Sequence, residues 1–161
     1  MRAGYERLAG LDEVLDRARE LSARTVIFDI EPLVAYWDSS QAALDRGVAL
    51  VLSQVETVPS VQVVCFATNS LRRPSGSSRD DGARVVYLAS AGKPLRIASY
   101  RGFPRPGMVI GDQIATDGIL ARRLGYVFVQ YCPPLGRVPA GPRLMDRFGQ
   151  LLRPLLFTRP G

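Results

Sequence analysis

The side chains able to do chemistry in this chain fall at four separate places, each just after a short apolar run. Asp29 lies at the end of TVIFDI, with Glu31 two residues on. Thr68 and Asn69 follow VQVVCFA, Lys93 stands in AGKPL, and Gly111 and Asp112 follow MVI, with Asp117 five residues beyond Asp112. Two acid pairs, a hydroxyl and an ammonium are the parts that transfer of a phosphoryl group to a carboxylate requires. Asp29 would be the nucleophile and would carry an aspartyl phosphate. Magnesium would bridge Asp29, Asp112 and a phosphate oxygen, because it favours few carboxylates together with water and phosphate. Glu31 is grouped with Asp29 and Asp112 as a candidate ligand. Thr68 and nearby backbone amides would hold other phosphoryl oxygens, and Lys93 would neutralise charge on the nucleophile and the group in transfer. Asp117 would orient Lys93 or a metal-bound water. Glu31 would protonate the leaving oxygen, then activate water. Asn69 and Gly111 are supporting residues.

Each of these has an ordinary structural explanation when taken alone. Asp, Thr and Asn at strand ends are common turn residues. Lys-Pro is a usual exposed helix start, and Gly-Asp a usual turn with a capping carboxylate. The joint order at four strand ends is what points to a phosphoryl site.

Composition removes the competing chemistries. The chain has no histidine, which excludes Ser-His and Cys-His nucleophilic schemes. Its two cysteines, Cys65 and Cys132, form no Cys-x-x-Cys pair, so a cysteine-rich zinc site fails on ligand count. They read as reduced, buried thiols of a cytoplasmic protein. Acid-base work therefore falls to carboxylates, tyrosines or Lys93. The net charge of +6 suits an anionic, phosphorylated partner, although solubility alone also accounts for it. Lys93 is the only lysine in an arginine-rich chain, as though a compact ammonium were needed there.

The elements that must position these groups follow from hydrophobic spacing. Residues 11–23 and 39–56 repeat apolar side chains at helical intervals, the second with Ser39 or Ser40 as cap. Residues 25–30, 61–67, 85–88, 108–110 and 126–130 read as strands. Lys93-Pro94 is expected to open a helix through about Tyr100. Residues 114–124 form another helix, ended by Gly125. Residues 71–84 read as a polar loop, and a Pro/Gly-rich connector follows Pro133-Pro134. The length suits one domain over residues 1–161, and strands alternating with helices imply an α/β fold with a mostly parallel, Rossmann-like sheet. Sites in such sheets lie at the carboxyl ends of strands.

FDIEPLVAYWD, FATNS, AGKPL and VIGDQIATDGILARRLGY resemble the four motifs of the haloacid dehalogenase superfamily phosphatases. GDQIATD and Trp37 resemble the subfamily IIIA branch that includes phosphatidylglycerophosphate phosphatases. The resemblance spans about residues 20–132. It implies a three-layer Rossmann-like fold, magnesium and an aspartyl-phosphate intermediate. The short stretches between Asp29 and Thr68 and between Thr68 and Lys93 leave no room for a large cap. Cap-less members tend to act on large substrates or to recruit a lid. The usual Asp-x-Asp-x-Thr here reads Asp29-Ile30-Glu31-Pro32-Leu33, which lengthens one carboxylate and removes a hydroxyl. A misplacement of about 1 Å costs on the order of 100-fold in rate. Two readings stand side by side: a phosphomonoesterase, and a weakened relative that binds a ligand or partner. A phospho-receiver domain fits less well, because it needs an acid pair on the first strand and phosphorylates an acid on the third.

Four further features remain. Arg72, Arg73, Arg79 and Arg84 crowd the loop after Thr68, where they meet either solvent or a remote anion. Arg122 and Arg123 are expected to face solvent. Tyr36 and Trp37 either wall the site or pack on the core. The segment of about residues 143–157 is apolar on one broad face, with Arg143, Arg147, Arg153 and Arg159 around it. It is expected to pack on the sheet or another chain, with an anionic membrane surface as the alternative. No base-stacking aromatic array points to nucleic acid. No apolar run reaches membrane-spanning length and the start carries charges throughout, so a cytoplasmic protein is expected.

Overall fold

Thr25–Asp29, Val63–Ala67 and Gly107–Gly111 are apolar at almost every position, the composition of strands covered on both faces. In the computed structural model, which describes residues 4–8, 10–75, 83–132 and 140–157, they lie inside a six-stranded sheet. The elements run β1 (Tyr5–Leu8), α1 (Leu11–Glu20), β2 (Thr25–Asp29), α2 (Gln41–Val55), β3 (Val63–Ala67), β4 (Arg84–Leu88), β5 (Gly107–Gly111), α3 (Ile119–Leu124), β6 (Val127–Tyr131) and α4 (Ala140–Leu156). The strand order is β1-β6-β5-β2-β3-β4, and every pairing is parallel. The fold is α/β, with three layers.

Alternation along the strands sorts the core into two halves. Phe28, Phe66, Val64 and Met108 face α1 and α2, where they meet Val14, Leu15, Leu44 and Val48. Phe28 stacks on Phe66 and Phe66 on Tyr87, with ring centroids 5.7 and 5.5 Å apart. Ile27, Cys65, Val109 and Phe128 face the other way, toward Leu120 and Leu124 of α3, Tyr100 and Phe157. Ser40 caps α2 by accepting the Ala43 amide, as the sequence suggests. Gly125, in the left-handed region at φ 70°, ends α3.

Four differences from the sequence reading have physical causes. Lys93-Pro94 does not open a helix. The chain turns at Gly92 (φ 66°), whose carbonyl accepts from both Leu95 and Arg96, and only Ala98–Tyr100 makes a single 3-10 turn. The residue before a proline is disfavoured in the helical region, so Lys93 sits in a turn instead. Second, YERL forms β1, an edge strand whose adjacent Glu6 and Arg7 hide it from hydropathy. It pairs with β6, in a register of Tyr5 with Phe128 and Leu8 with Tyr131. Third, Cys65 is buried but Cys132 is only half-buried, accepting from the Arg7 guanidinium; both are free thiols. Fourth, the helix after β5 begins as a wide turn, Ile114–Gly118, where the Ile119 amide reaches back to Ile114.

The C-terminal segment packs on the protein, as favoured from its sequence. α4 docks against Ile114–Gly118 through Gly149, where a Cβ would press on Ile114, and Phe157 fills a space beside Tyr5 and Phe128. No described helix is long and apolar enough to cross a membrane. The expected loop residues 76–82, with Arg79, the connector at 133–139, and Arg159 lie outside the described residues.

Candidate active site

The sheet reverses direction of winding at β2, which has β3 on one side and β5 on the other. A crevice opens at the carboxyl ends of strands at such a switch point. Asp29 ends β2, Thr68 follows β3, Asp112 follows β5, and the turn after β4 delivers Lys93. Asp29, Thr68 and Lys93 line one pocket, and Asp112, with Asp117 from the wide turn after β5, brings a carboxylate oxygen within 4.8 Å of Asp29.

Lys93 is the centre of the arrangement. Its side chain is 2% exposed, and Nζ lies 2.7 Å from Asp117 Oδ1 and 2.9 Å from Asp29 Oδ1, with the Ala67 carbonyl at 3.3 Å. Burial opposes the charged ammonium, but the charges of Asp117 and Asp29 outweigh it and hold its pKa above the ordinary value. Asn69 fixes the lysine backbone from both sides: Oδ1 accepts from the Lys93 amide and Nδ2 donates to its carbonyl. Asp117 comes close because residue 111 is glycine. A Cβ there would collide with the Asp117 carboxylate.

Asp29, Asp112 and Asp117 each offer an oxygen within 4.8 Å of the others. Three carboxylates face one ammonium, so the cluster lacks about two positive charges when all are ionised. The shortfall shows in the titration. Burial, then the charge of Asp117, push Asp112 up to about 7, and the same two causes raise Asp29 well above the usual carboxylate range, against the pull of Lys93. Asp112 Oδ1 is buried and has no hydrogen-bond partner. A buried carboxylate oxygen left bare costs free energy, which an oxygen-seeking divalent cation would offset. The donor set therefore fits magnesium.

Glu31 differs from its sequence assignment as a metal ligand. It is buried, but its side chain is not in this cluster. Oε2 accepts from the Thr68 hydroxyl at 2.8 Å, and Oε1 faces Arg72 Nη1 at 3.3 Å. The extra methylene carries the carboxylate to these two donors. Arg72 is itself tied down, donating to the carbonyls of Tyr36 and Ser39. It thus joins the loop after Thr68 to the turn after β2 and leaves a fixed cation over Glu31. An arginine in a polar loop gave no sequence signal for that role.

Asp29, Glu31, Thr68, Asn69, Arg72 and Lys93 line an open pocket of about 220 Å³, with Trp37, Ser70, Gln113 and Thr116 completing the wall; Asp112 and Asp117 reach the site through Asp29 rather than through this lining. A wider groove, about 370 Å³, lies at the opposite end of the sheet. It is lined by Leu52, Val55, Val58, Val61 and Val85 and has Glu56 as its single acid, so nothing there converges for chemistry. Among the described residues no cap domain stands over the strand ends.

Gln130 is a second residue that sequence reasoning missed. It is 1% exposed and fully partnered: Nε2 donates to the Asp112 carbonyl at 2.8 Å and to Asp146 of α4 at 3.1 Å, while Oε1 accepts from the Tyr5 hydroxyl. It links β1 and α4 to the loop carrying Asp112. Arg123, expected in solvent, is exposed but donates to the Pro94 and Leu95 carbonyls, bracing the turn after Lys93. Arg122 likewise caps α4 at the Leu155 and Leu156 carbonyls.

No family model, curated protein or solved structure matches this chain at a significant level. The functional reading rests on the site itself.

Proposed function

We propose that this protein is a magnesium-dependent phosphomonoester hydrolase of the haloacid dehalogenase type, acting through an aspartyl phosphate on Asp29. The observation that carries the reading is the lone lysine, buried between Asp29 and Asp117 beside the bare oxygen of Asp112. A structural ion pair needs one acid; three acids around one ammonium suit a site completed by a cation and a phosphoryl group.

Asp29 and Asp112 would hold the magnesium ion, with Asp117 beside them. When bound, the ion supplies positive charge to the non-bridging phosphoryl oxygens. Asp29 Oδ1 is held by Lys93, which leaves its other oxygen to attack phosphorus. A bond forms from that oxygen to phosphorus, and the ester P–O bond breaks with its electron pair going to the leaving oxygen. Lys93 offsets the charge that gathers on the transferred group. Glu31 faces the same pocket and is the candidate to supply a proton to the leaving oxygen. Water then attacks phosphorus, Glu31 takes its proton, and the Asp29 carboxylate returns with inorganic phosphate. Both Glu31 oxygens already meet donors, so proton delivery requires it to loosen from Arg72 or Thr68. Slow turnover with poor leaving groups follows.

The test is phosphate release from a generic aryl phosphate. Magnesium should be required, and Asp29→Asn should abolish release. Equal release by both proteins, or release unaffected by a chelator, would refute the reading. The engagement of Glu31 by Arg72 favours a second reading, a phosphate-binding protein without turnover. Glu31→Asp separates the two: a large gain identifies a slow enzyme, and none with phosphate still bound identifies the binder.

A further inference from the structure

Five of the eight large hydrophobic side chains exposed among the described residues lie on α4: Leu144, Met145, Phe148, Leu151 and Leu155. Leu144, Phe148, Leu151 and Leu155 recur at spacings of four, three and four, so they form one stripe along the helix. Their exposures are 69, 53, 75 and 72%. The fold does not need them, because α4 is already seated by its other side. Gly149 meets Ile114 and Ala115, and Phe157 is buried just beyond its end.

Charge decides what suits this face. The single acid of α4, Asp146, is turned inward, where it accepts from Gln130 and Gln150. Arg143 and Arg147 are exposed beside the apolar stripe. The outer surface therefore presents apolar and positive groups without a carboxylate of its own. Two copies packed face to face would bring Arg147 of one helix against a face of the other that carries no outward-facing acid of α4. An anionic lipid surface meets both demands: acyl chains for the leucines and headgroup charge for the arginines.

We infer that α4 is a peripheral membrane-docking helix that lies in the plane of an anionic bilayer through Leu144, Phe148, Leu151 and Leu155. At 17 residues it would run about 25 Å along that surface. The docking stands independently of the phosphoryl chemistry.

Sedimentation of the full chain with vesicles tests it. Vesicles of phosphatidylcholine with phosphatidylglycerol should bring the protein down, vesicles of phosphatidylcholine alone should do so far less, and added salt should weaken the binding. Leu151→Glu with Leu155→Glu should lower binding about tenfold or more, since two apolar anchors are lost and two repelling charges gained. Both side chains are exposed, so an unchanged circular dichroism spectrum is expected. Arg147→Glu should give a smaller loss. Absence of binding by the unaltered chain, or equal binding by the double variant, would overturn the inference. So would a dimer in light scattering that the double variant splits, because the stripe would then belong to a second copy.

Discussion

Lys93 and Asp112 carry opposite sides of one electrostatic imbalance. The lysine has two carboxylate partners within 3 Å, whereas Asp112 Oδ1 has none. Glu31 stands apart from both, which separates its role from theirs experimentally. Glu31→Gln should leave magnesium affinity by calorimetry unchanged while lowering turnover about 100-fold, the usual contribution of a positioned acid-base group. A loss of magnesium binding in that variant would return Glu31 to the metal. Gly111→Ala should do the reverse kind of harm. The added methyl pushes Asp117 away from Lys93, so both stability and magnesium affinity should fall, the former by about 1–3 kcal/mol. Thermal unfolding and calorimetry on the same sample check both. Asp29, Lys93, Asp112 and Asp117 were legible in the sequence because each lies at the carboxyl end of a strand or within the turn that follows it, and strand ends converge in a parallel sheet. Arg72 and Gln130 were not, because their partners are set by the folded chain. Arg72 meets Glu31 across 41 residues of sequence, and Gln130 looks like any polar residue at a strand end.

At the scale of elements, hydrophobic period found β2, β3, β5, α1 and α2 nearly to their ends, because those segments are buried along a full face. It failed where a local signal competed. Lys93-Pro94 has the look of a helix start, but Gly92 and the proline make a turn. β1 has too few apolar residues to stand out and is fixed only by pairing with β6. α4 was visible as amphipathic, but which of its faces packs depends on Gly149, a residue that looks like a weakness in a helix. Through Asp146, Gln130 and the Asp112 carbonyl, this last helix braces the candidate metal loop. Gln130→Leu should therefore leave the Tyr5 hydroxyl, Asp146 and the Asp112 carbonyl short of a partner. A cost of about 1–3 kcal/mol in denaturant unfolding is expected. Magnesium affinity should weaken in parallel, although Gln130 is not itself in the acid cluster. An unchanged affinity would show that α4 and the loop are independent.

For the whole molecule, the parallel sheet brings four distant segments to one switch point and gathers more negative than positive charge there. Stability without metal should then depend on pH in a defined direction. Asp112 titrates at about 7 when folded, against an ordinary value of 3.8. Between these values the folded chain keeps a proton that the unfolded chain has released. Its stability is therefore greatest at the acidic end and falls as pH rises through about 7. Asp29, also raised, acts in the same direction. In chelator, the melting temperature should be lower at pH 8 than at pH 5, Asp112→Asn should shrink that difference, and magnesium should restore the loss at pH 8. A metal-free protein equally stable at both pH values would mean that the acids are not crowded as described. The most direct test of the central claim is chemical trapping of the nucleophile. The chain is mixed with magnesium and an aryl phosphate, quenched with borohydride, and the peptide containing residue 29 is sequenced by mass spectrometry. Reduction of an acyl phosphate should leave homoserine at position 29, and only when magnesium and substrate are both present. An unaltered aspartate there, or homoserine at another acid, would contradict Asp29 as the group that takes the phosphoryl.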